Sequence, residues 1–239
     1  MKSEVIKDIW QKKHSFKKPC KIKDNDITLK YLLKYIPRDK DVNVLDAGCG
    51  DGRYAYKLAS LGYKNIFAVD LFERIQTDKY VYKQSSIDSL PYRDNFFDFV
   101  YSSSVIYYLK DTDRGFMEIK RVLKKDSIVL LTSHTRYSLF TLYYQLLTCR
   151  GLKPHLKTVK YHNSLEYKKM LEKNGFEILL LDGFKLSFFL YPAYKRVVDK
   201  IYNLTGFKLP ELEDKITSNK VLALLKSIFA YHLIITARK

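Results

Sequence analysis

The sequence predicts an α/β fold in which helices cover both faces of a mostly parallel sheet of seven strands. Three observations indicate this class. A short apolar run at 42–46 leads into a glycine-rich bend and then into a helical pattern. A second apolar run, at 65–69, ends at Asp70. Apolar runs and helical patterns then alternate along the chain, as expected when parallel strands are joined by crossover helices.

Two periodicities predict the individual elements. Short runs rich in β-branched and aromatic residues predict strands at 42–46, 65–69, 80–84, 99–102, 128–132, 176–181 and 231–237. Apolar repeats of about 3.6 residues predict helices at 4–11, 26–35, 53–61, 112–123 and 164–173. The last helix is expected to begin at a serine cap, Ser164, and to end at Asn174-Gly175, a common helix stop.

Three glycines at alternate positions, Gly48, Gly50 and Gly52, form the bend after the first strand. A dinucleotide-binding bend would instead need a glycine at position 53, to bring the helix N-terminus against a pyrophosphate. Arg53 stands there. The bend is therefore expected to offer bare backbone to an adenosine and an amino acid, in a ligand without a pyrophosphate.

The block formed by Asp46 and the three glycines resembles the D-x-G-x-G-x-G motif of the class I S-adenosylmethionine-dependent methyltransferases, with motifs similar to the type 11 members. The resemblance implies a three-layer Rossmann-like fold with strand order 3-2-1-4-5-7-6 and an antiparallel last strand. It also implies S-adenosylmethionine as cofactor and S-adenosylhomocysteine as product. In this family the glycine loop faces the methionine part of the cofactor.

Two further blocks extend the resemblance. Asp70 matches the family's ribose-binding acid, which can accept hydrogen bonds from both ribose hydroxyls. The stretch from 85 to 109 is similar to the family's next motif, except that Ser86 replaces the acid that usually binds the adenine amino group. The implied cofactor site comprises Asp46, Ala47, Gly48, Cys49, Gly50, Gly52, Asp70, Leu71, Ser86, Ile87, Ser102 and Ser103.

The spacing between Asp70 and Ser86 is short for the usual helix plus strand, so we expect that helix to be shortened or lost. Main-chain carbonyls near Ser102 and Ser103 are expected, by the same resemblance, to hold the methionine ammonium group.

Composition favours one intracellular domain over residues 1–239. We expect a basic N-terminal helical arm at 1–40, a cofactor half at 41–134 and a substrate-side half at 135–239, with helical insertions at 137–160 and 183–228. Three widely spaced cysteines indicate neither a disulfide framework nor a metal site. The charged N-terminus predicts no secretion signal, and no apolar run is long enough to span a membrane. A cytoplasmic location is the expectation, and peripheral contact with a membrane is left open as an alternative.

The net charge of +17 lies entirely outside the cofactor half. Residues 1–40 hold 12 basic and 5 acidic side chains, residues 41–134 hold 13 of each, and residues 135–239 hold 18 and 8. Six lysines concentrate the charge of the arm: Lys12, Lys13, Lys17, Lys18, Lys21 and Lys23. This pattern suits an anionic partner, although lysines that only keep the protein soluble would produce it equally well.

The two insertions each allow two interpretations. The stretch 137–149 is apolar almost all round and has basic residues at both ends, which fits either a buried or lid helix or a helix at a membrane surface. The aromatic and basic residues of 183–229 fit packing over the sheet, and they also fit stacking on bases, sugars or lipid-glycan head groups.

A hydroxyl acceptor usually needs a general base. His134, after the fifth strand, is the best-placed histidine, and His14 in the basic arm is the next. Tyr107 or Tyr108, after the fourth strand, is a candidate to line the site. After the fourth strand the chain reads Ser-Ser-Ser-Val at 102–105, so it lacks the N/D-P-P-Y/F tetrad of base-amino methyltransferases. A small-molecule, glycan- or lipid-linked acceptor, methylated on oxygen, is predicted. The alternatives are an RNA methyltransferase and a non-catalytic binding subunit.

Overall fold

The computed structural model describes residues 21–22, 26–73, 77–151, 159–184, 227–228, 230 and 232–239. Its strands are β1 (Asn43–Ala47), β2 (Asn65–Asp70), β3 (Val81–Gln84), β4 (Phe97–Ser103), β5 (Leu123–His134), β6 (Glu177–Phe184) and β7 (His232–Arg238). Its helices are α1 (Ile27–Tyr35), α2 (Arg53–Ser60), α3 (Thr112–Val122), α4 (Leu139–Cys149) and α5 (Ser164–Lys173), with a 3₁₀ turn at Ile106–Tyr108.

The strands form one sheet in the order β3-β2-β1-β4-β5-β7-β6, as the sequence predicted. The five strands β1 to β5 pair in parallel, whereas β7 runs antiparallel to both β5 and β6. The carboxyl ends of β1, β2, β4 and β5 therefore meet at one edge, which we call the catalytic edge. The amino end of β7 joins them there, because His232 pairs with His134, the last residue of β5.

Helices cover both faces of the sheet. Neighbouring residues of a strand point to opposite faces, so Val44 packs on the side of α1 and α2, and Leu45 packs on the side of α3 and α5. Leu32 of α1 and Phe116 of α3 are both fully buried. The predicted three-layer α/β class is confirmed, and the two apolar layers hold the catalytic edge in place.

Local capping explains where the helices begin. Asp26 accepts a hydrogen bond from the Leu29 N–H at 2.8 Å and starts α1. The expectation that Ser164 caps α5 was wrong. Asn163 is the cap, and it forms a capping box with Glu166, while Ser164 is the first helical residue. Asparagine is as good a cap as serine, and the reciprocal bond from Glu166 decides between them.

The strands β4 and β5 are longer than the sequence predicted. Residues 124–127, which lie between the predicted helix and the predicted strand, belong to β5, and the Lys124 Nζ lies 2.7 Å from Oδ1 of Asp98 on β4. Residues 71–73 and 77–80 contain no helix, in agreement with the expected loss of the helix before β3. The predicted helix at 4–11 and most of the insertion at 183–228 lie outside the described residues. Over the described ranges, no helix has the length and apolar content that crossing a membrane requires.

Candidate active site

The glycine loop is bound to the end of β2 by three consecutive main-chain donors. The N–H groups of Gly48 and Cys49 donate to the Val69 carbonyl at 2.8 and 2.9 Å. The Gly50 N–H donates to Oδ2 of Asp70 at 2.7 Å. The loop and the carboxylate at the end of β2 are therefore joined directly, although twenty residues separate Gly50 from Asp70 in the sequence.

Gly48 and Gly50 serve different purposes. Gly48 has φ +82°, and a Cβ there would lie 2.6 Å from Cγ2 of Val105. Gly50 has φ +53°, and a Cβ there would meet no heavy atom within 4 Å. The glycine spacing predicted that the backbone at both positions would face the ligand. At Gly48 the close neighbour is instead the protein's own Val105, whereas Gly50 does border open space.

A left-handed turn brings Val105 over the loop. Ser104 has φ +59°, an uncommon conformation for a residue with a side chain. Two bonds hold it there: its N–H donates to the Thr132 carbonyl at 3.0 Å and to the Thr132 hydroxyl at 3.1 Å. Strand β5 thus fixes the chain that leaves β4, and through Val105 it fixes the glycine loop.

The open space beside Gly50 agrees with a loop that faces a ligand through its backbone, as the resemblance implies for S-adenosylmethionine. Asp70 lies beside Gly50, whose N–H donates to its carboxylate, and is 8% exposed. Asp46, at the end of β1, is 1% exposed and therefore far less accessible than Asp70. Gly52 begins α2 in the left-handed conformation, with φ +73°.

The other residues predicted for the cofactor lie around the same edge. Leu71 is exposed directly after Asp70, and the Ser85 N–H, next to Ser86, donates to the Asp70 carbonyl at 2.9 Å. Ile87 is buried in the core on the side of α3. The remaining predicted residues lie at the ends of β1 and β4 or in the glycine loop: Ala47, Cys49, Ser102 and Ser103.

A cluster of five rings occupies the other half of the catalytic edge: Tyr107, Tyr108, His134, Tyr161 and His232. The His134 ring lies 5.2 Å from the Tyr107 ring and 4.9 Å from the His232 ring, measured between centroids. The Tyr107 ring lies 5.5 Å from that of Tyr161. The structure therefore brings together two of the three predicted catalytic residues, His134 and Tyr107. The third, His14, lies outside the described residues.

The chain segment 159–163 positions Tyr161 in this cluster. The Lys160 N–H donates to the Tyr107 carbonyl at 2.9 Å. Arg136 donates through its N–H to the His162 carbonyl at 3.1 Å, and through Nε to the Tyr161 carbonyl at 2.8 Å. The segment is thus bound both to the turn after β4 and to the chain after β5.

Burial sets the protonation of this half of the site. It raises the pKa of Tyr161 to about 12, so the phenol is protonated at neutral pH and can donate a hydrogen bond. Burial also lowers the pKa of His162, against the opposing effect of Glu166, whose Oε2 lies 3.5 Å from His162 Nδ1. His162 is thus held in the supporting structure, whereas His134 belongs to the ring cluster.

Sequence reasoning missed His232 and Tyr161. A signal for His232 was present, because an antiparallel last strand beside β5 must bring its first residues next to the last residues of β5. No comparable signal existed for Tyr161, since the bonds that place it arise from main-chain groups of a segment without regular structure.

Comparison with known proteins identifies the class of this fold. Residues 45–131 match the family model described as a methyltransferase domain. The glycine loop, Asp70 and the strand order agree with that match, so this part of the chain is a class I S-adenosylmethionine-dependent methyltransferase domain.

Individual relatives are more distant. The chain is 29% identical over 149 residues to the mitochondrial arginine-hydroxylase NDUFAF5 of Mus musculus, a match that covers 58% of this chain and 43% of that protein. It is 28% identical over 104 residues to the malonyl-[acyl-carrier protein] O-methyltransferase of Pectobacterium atrosepticum, covering 41% of each. The chain thus spans about two fifths of the length of these curated relatives.

A solved structure extends the likeness to nearly the whole chain. The S-adenosylmethionine-dependent methyltransferase of Mesorhizobium loti superposes with a TM-score of 0.58 and 17% identity, over 90% of this chain and 99% of that one. At this identity the likeness concerns the fold.

Proposed function

We propose that this chain transfers the methyl group of S-adenosylmethionine to an oxygen atom of a small-molecule, glycan-linked or lipid-linked acceptor. The observation that carries the proposal is the division of the catalytic edge. The glycine loop, bonded through Gly50 to Asp70, and the cluster that contains His134 and Tyr107 lie along the same edge of the sheet.

The chain's own groups account for cofactor binding and alignment. The Asp70 carboxylate accepts from the ribose hydroxyls, and the Gly50 N–H holds that carboxylate in place. Main-chain carbonyls near Ser102 and Ser103 accept from the methionine ammonium. The bound cofactor supplies a methyl group activated by a sulfonium, so the protein contributes mainly by orienting the acceptor.

His134 is proposed as the general base. A ring nitrogen of His134 takes the proton of the acceptor hydroxyl while the new oxygen–carbon bond forms and the sulfur–carbon bond breaks. Tyr107 and Tyr161 line the same cluster, and the protonated Tyr161 phenol serves as a donor that orients the acceptor. The proton would pass from the imidazolium to solvent, and the cofactor would be released as S-adenosylhomocysteine.

Two observations support an oxygen acceptor. The Ser-Ser-Ser-Val sequence at 102–105 lacks the residues that grip a planar base amine. The relative from Pectobacterium atrosepticum is named as an O-methyltransferase of a carrier-linked malonyl group. The excess of basic residues in 135–239 supports, in addition, a negatively charged acceptor or a negatively charged surface that bears it.

The test is transfer of a labelled methyl group from the cofactor to fractionated lipid, glycan and RNA extracts. We expect label in the lipid or glycan fraction, and none there with the Asp70→Ala protein. Label confined to RNA would replace the proposal with its alternative. Calorimetry that detects no cofactor binding by the pure protein would instead favour a non-catalytic subunit.

The RNA alternative is favoured by the basic arm at 12–23, which carries six lysines and no acid. Binding through phosphate contacts weakens steeply as salt rises, because binding releases counterions from the nucleic acid and this release is less favourable at high salt concentration. Affinity for RNA that is absent, or that does not depend on salt, would remove this alternative.

A further inference from the structure

Helix α4 presents its apolar side chains to the outside. Leu142 is 45% exposed, Leu146 is 50% exposed and Tyr143 is 41% exposed. Its buried side chains include two threonines, Thr141 and Thr148, which are 1% and 8% exposed. Among the side chains of α4 that the structure describes, the buried ones are thus polar and three apolar ones are exposed, the opposite of a helix that covers a core.

Local hydrogen bonds allow the threonines to face inward. The Thr141 hydroxyl accepts from the Ser138 hydroxyl at 2.8 Å, beside the N-cap of the helix. The Thr148 hydroxyl donates to the Tyr144 carbonyl at 2.8 Å, within the helix itself. Because these hydroxyls are satisfied nearby, burying them carries little penalty, and the leucines are left on the outer face.

Helix α3 shows the ordinary arrangement in the same molecule. Phe116, Ile119 and Val122 are fully buried against the sheet, and the opposite side of the helix carries charged residues. The exposure of leucines on α4 is thus a property of that helix rather than of the fold.

The exposed face of α4 ends at a positively charged residue, Arg150. Residues four apart share one face of a helix, so Leu142, Leu146 and the exposed Arg150 form a single stripe. The sequence contains no acidic residue from 127 to 165. Five basic residues lie in that interval: Arg136, Arg150, Lys153, Lys157 and Lys160. Glu166 pairs with Arg136, at 2.8 Å between Oε1 and Nη1, and offsets one of these charges.

This face lies next to the acceptor side of the catalytic edge. Helix α4 begins five residues after His134, and the connecting residues are bonded to the segment that positions Tyr161. A surface that meets α4 would therefore come close to the ring cluster.

We propose that α4 docks on the surface of an anionic lipid bilayer. Leu142 and Leu146 enter the apolar boundary, Tyr143 lies at the level of the head groups, and Arg150 pairs with lipid phosphates. With 11 residues the helix is about 16 Å long, so it lies in the plane of the interface. Docking would present the acceptor site to a lipid-linked substrate. That last step alone rests on the proposed function.

The experiment measures cosedimentation of the full chain with phosphatidylcholine vesicles, prepared with and without phosphatidylglycerol, at low and high salt. The test variant is Leu142→Gln/Leu146→Gln, which removes apolar surface without changing the charge. Its matched control is Met117→Gln on α3, where the side chain is 60% exposed. A third variant, Arg150→Gln, removes one charge and keeps both leucines.

We expect wild type and Met117→Gln to bind the anionic vesicles, and the double variant to bind about tenfold more weakly or less. Arg150→Gln and high salt should weaken binding by a smaller factor. Three results would overturn the proposal: no binding by wild type, undiminished binding by the double variant, or a dimer in solution that the double variant dissociates. Such a dimer would identify the exposed face of α4 as a contact between two copies of the chain.

Cofactor binding by the same preparations separates this proposal from the proposed function. The double variant should bind S-adenosylmethionine with wild-type affinity, which also shows that it is folded. A protein that binds vesicles but not the cofactor would contradict the methyltransferase activity and leave the docking face intact.

Discussion

The two halves of the catalytic edge are built by different means. On the side of β1 and β2, main-chain N–H groups of the glycine loop bind Val69 and Asp70. On the side of β5 and β7, the site consists of side-chain rings that come from four separate segments of the chain. A site made of backbone tolerates few sequences, whereas a site made of side chains can change its acceptor with few substitutions.

The charge distribution follows the same division. The cofactor half, 41–134, carries equal numbers of acidic and basic residues, and residues 135–239 carry an excess of ten basic ones. We therefore expect that cofactor binding and acceptor binding respond to separate mutations.

The largest expected effect concerns the acceptor half. Replacing His134 by alanine should slow methyl transfer about 10²–10⁴-fold, since it removes the proposed base. Cofactor affinity should stay unchanged, because the glycine loop and Asp70 lie on the other half. Single-turnover kinetics and calorimetry measure the two quantities.

His162→Gln serves as the control, since this histidine faces Glu166 rather than the ring cluster. Transfer at the wild-type rate by His134→Ala would exclude His134 as the base. An equal loss of cofactor affinity would contradict the division into two halves.

The next largest effect concerns the packing beneath the loop. Gly48→Ala should lower the free energy of unfolding by roughly 2–4 kcal/mol, through left-handed strain and the clash with Val105. Gly62 has φ +90°, and a Cβ there would meet nothing within 4 Å. Gly62→Ala should therefore lower the free energy of unfolding through the strain alone, by about 1–2 kcal/mol. Urea unfolding measures both values.

Adding Val105→Ala to Gly48→Ala should recover part of the loss, because it removes the two methyl groups that would lie 2.6 and 2.7 Å from the new Cβ and leaves only the Val105 Cβ, at 2.9 Å. Equal destabilisation by Gly48→Ala and Gly62→Ala would show that Val105 does not constrain the loop.

The third effect tests the carboxylate that joins the loop to β2. Asp70→Ala should weaken S-adenosylmethionine binding by about 1–3 kcal/mol, or roughly 5- to 150-fold, through lost charge-assisted hydrogen bonds. Asp78→Asn, at an exposed position of the same connection, should leave the calorimetric affinity unchanged. Unaltered affinity in Asp70→Ala would remove Asp70 from the cofactor site.

The smallest effect is on the pH dependence of stability. Burial lowers the pKa of His162 in the folded chain below its ordinary value of 6.5. As the pH falls below 6.5, the unfolded chain binds the proton more readily, and the free energy of unfolding decreases. Above that pH His162 is neutral in both states and contributes no such dependence.

His162→Gln should therefore lose less stability than wild type between about pH 7.5 and about pH 5.5, as measured by urea unfolding. An identical pH dependence in the two proteins would show that His162 titrates alike in both states.

Local patterns were sufficient for one part of the molecule. The first strand, the bend and the helix after it were predicted nearly to the residue, since glycine spacing and apolar periodicity reflect short-range constraints. Asp70 was identified in the same way, from its distance along the chain. The separate roles of Gly48 and Gly50 were not predicted, because the close approach of Val105 to Gly48 joins residues far apart in the sequence.

The sequence alone therefore predicted the α/β class, the glycine bend and the acidic residue at the end of the second strand, and the family resemblance implied the strand order. Folding of the distant segments decided which side chains share the acceptor half. His232 reaches His134 through antiparallel pairing, and Tyr161 reaches Tyr107 through main-chain bonds of an irregular segment. Folding of these distant segments also decided which face of α4 points outward. A helix that is apolar on nearly all sides carries no local signal for its orientation, and its neighbours impose one.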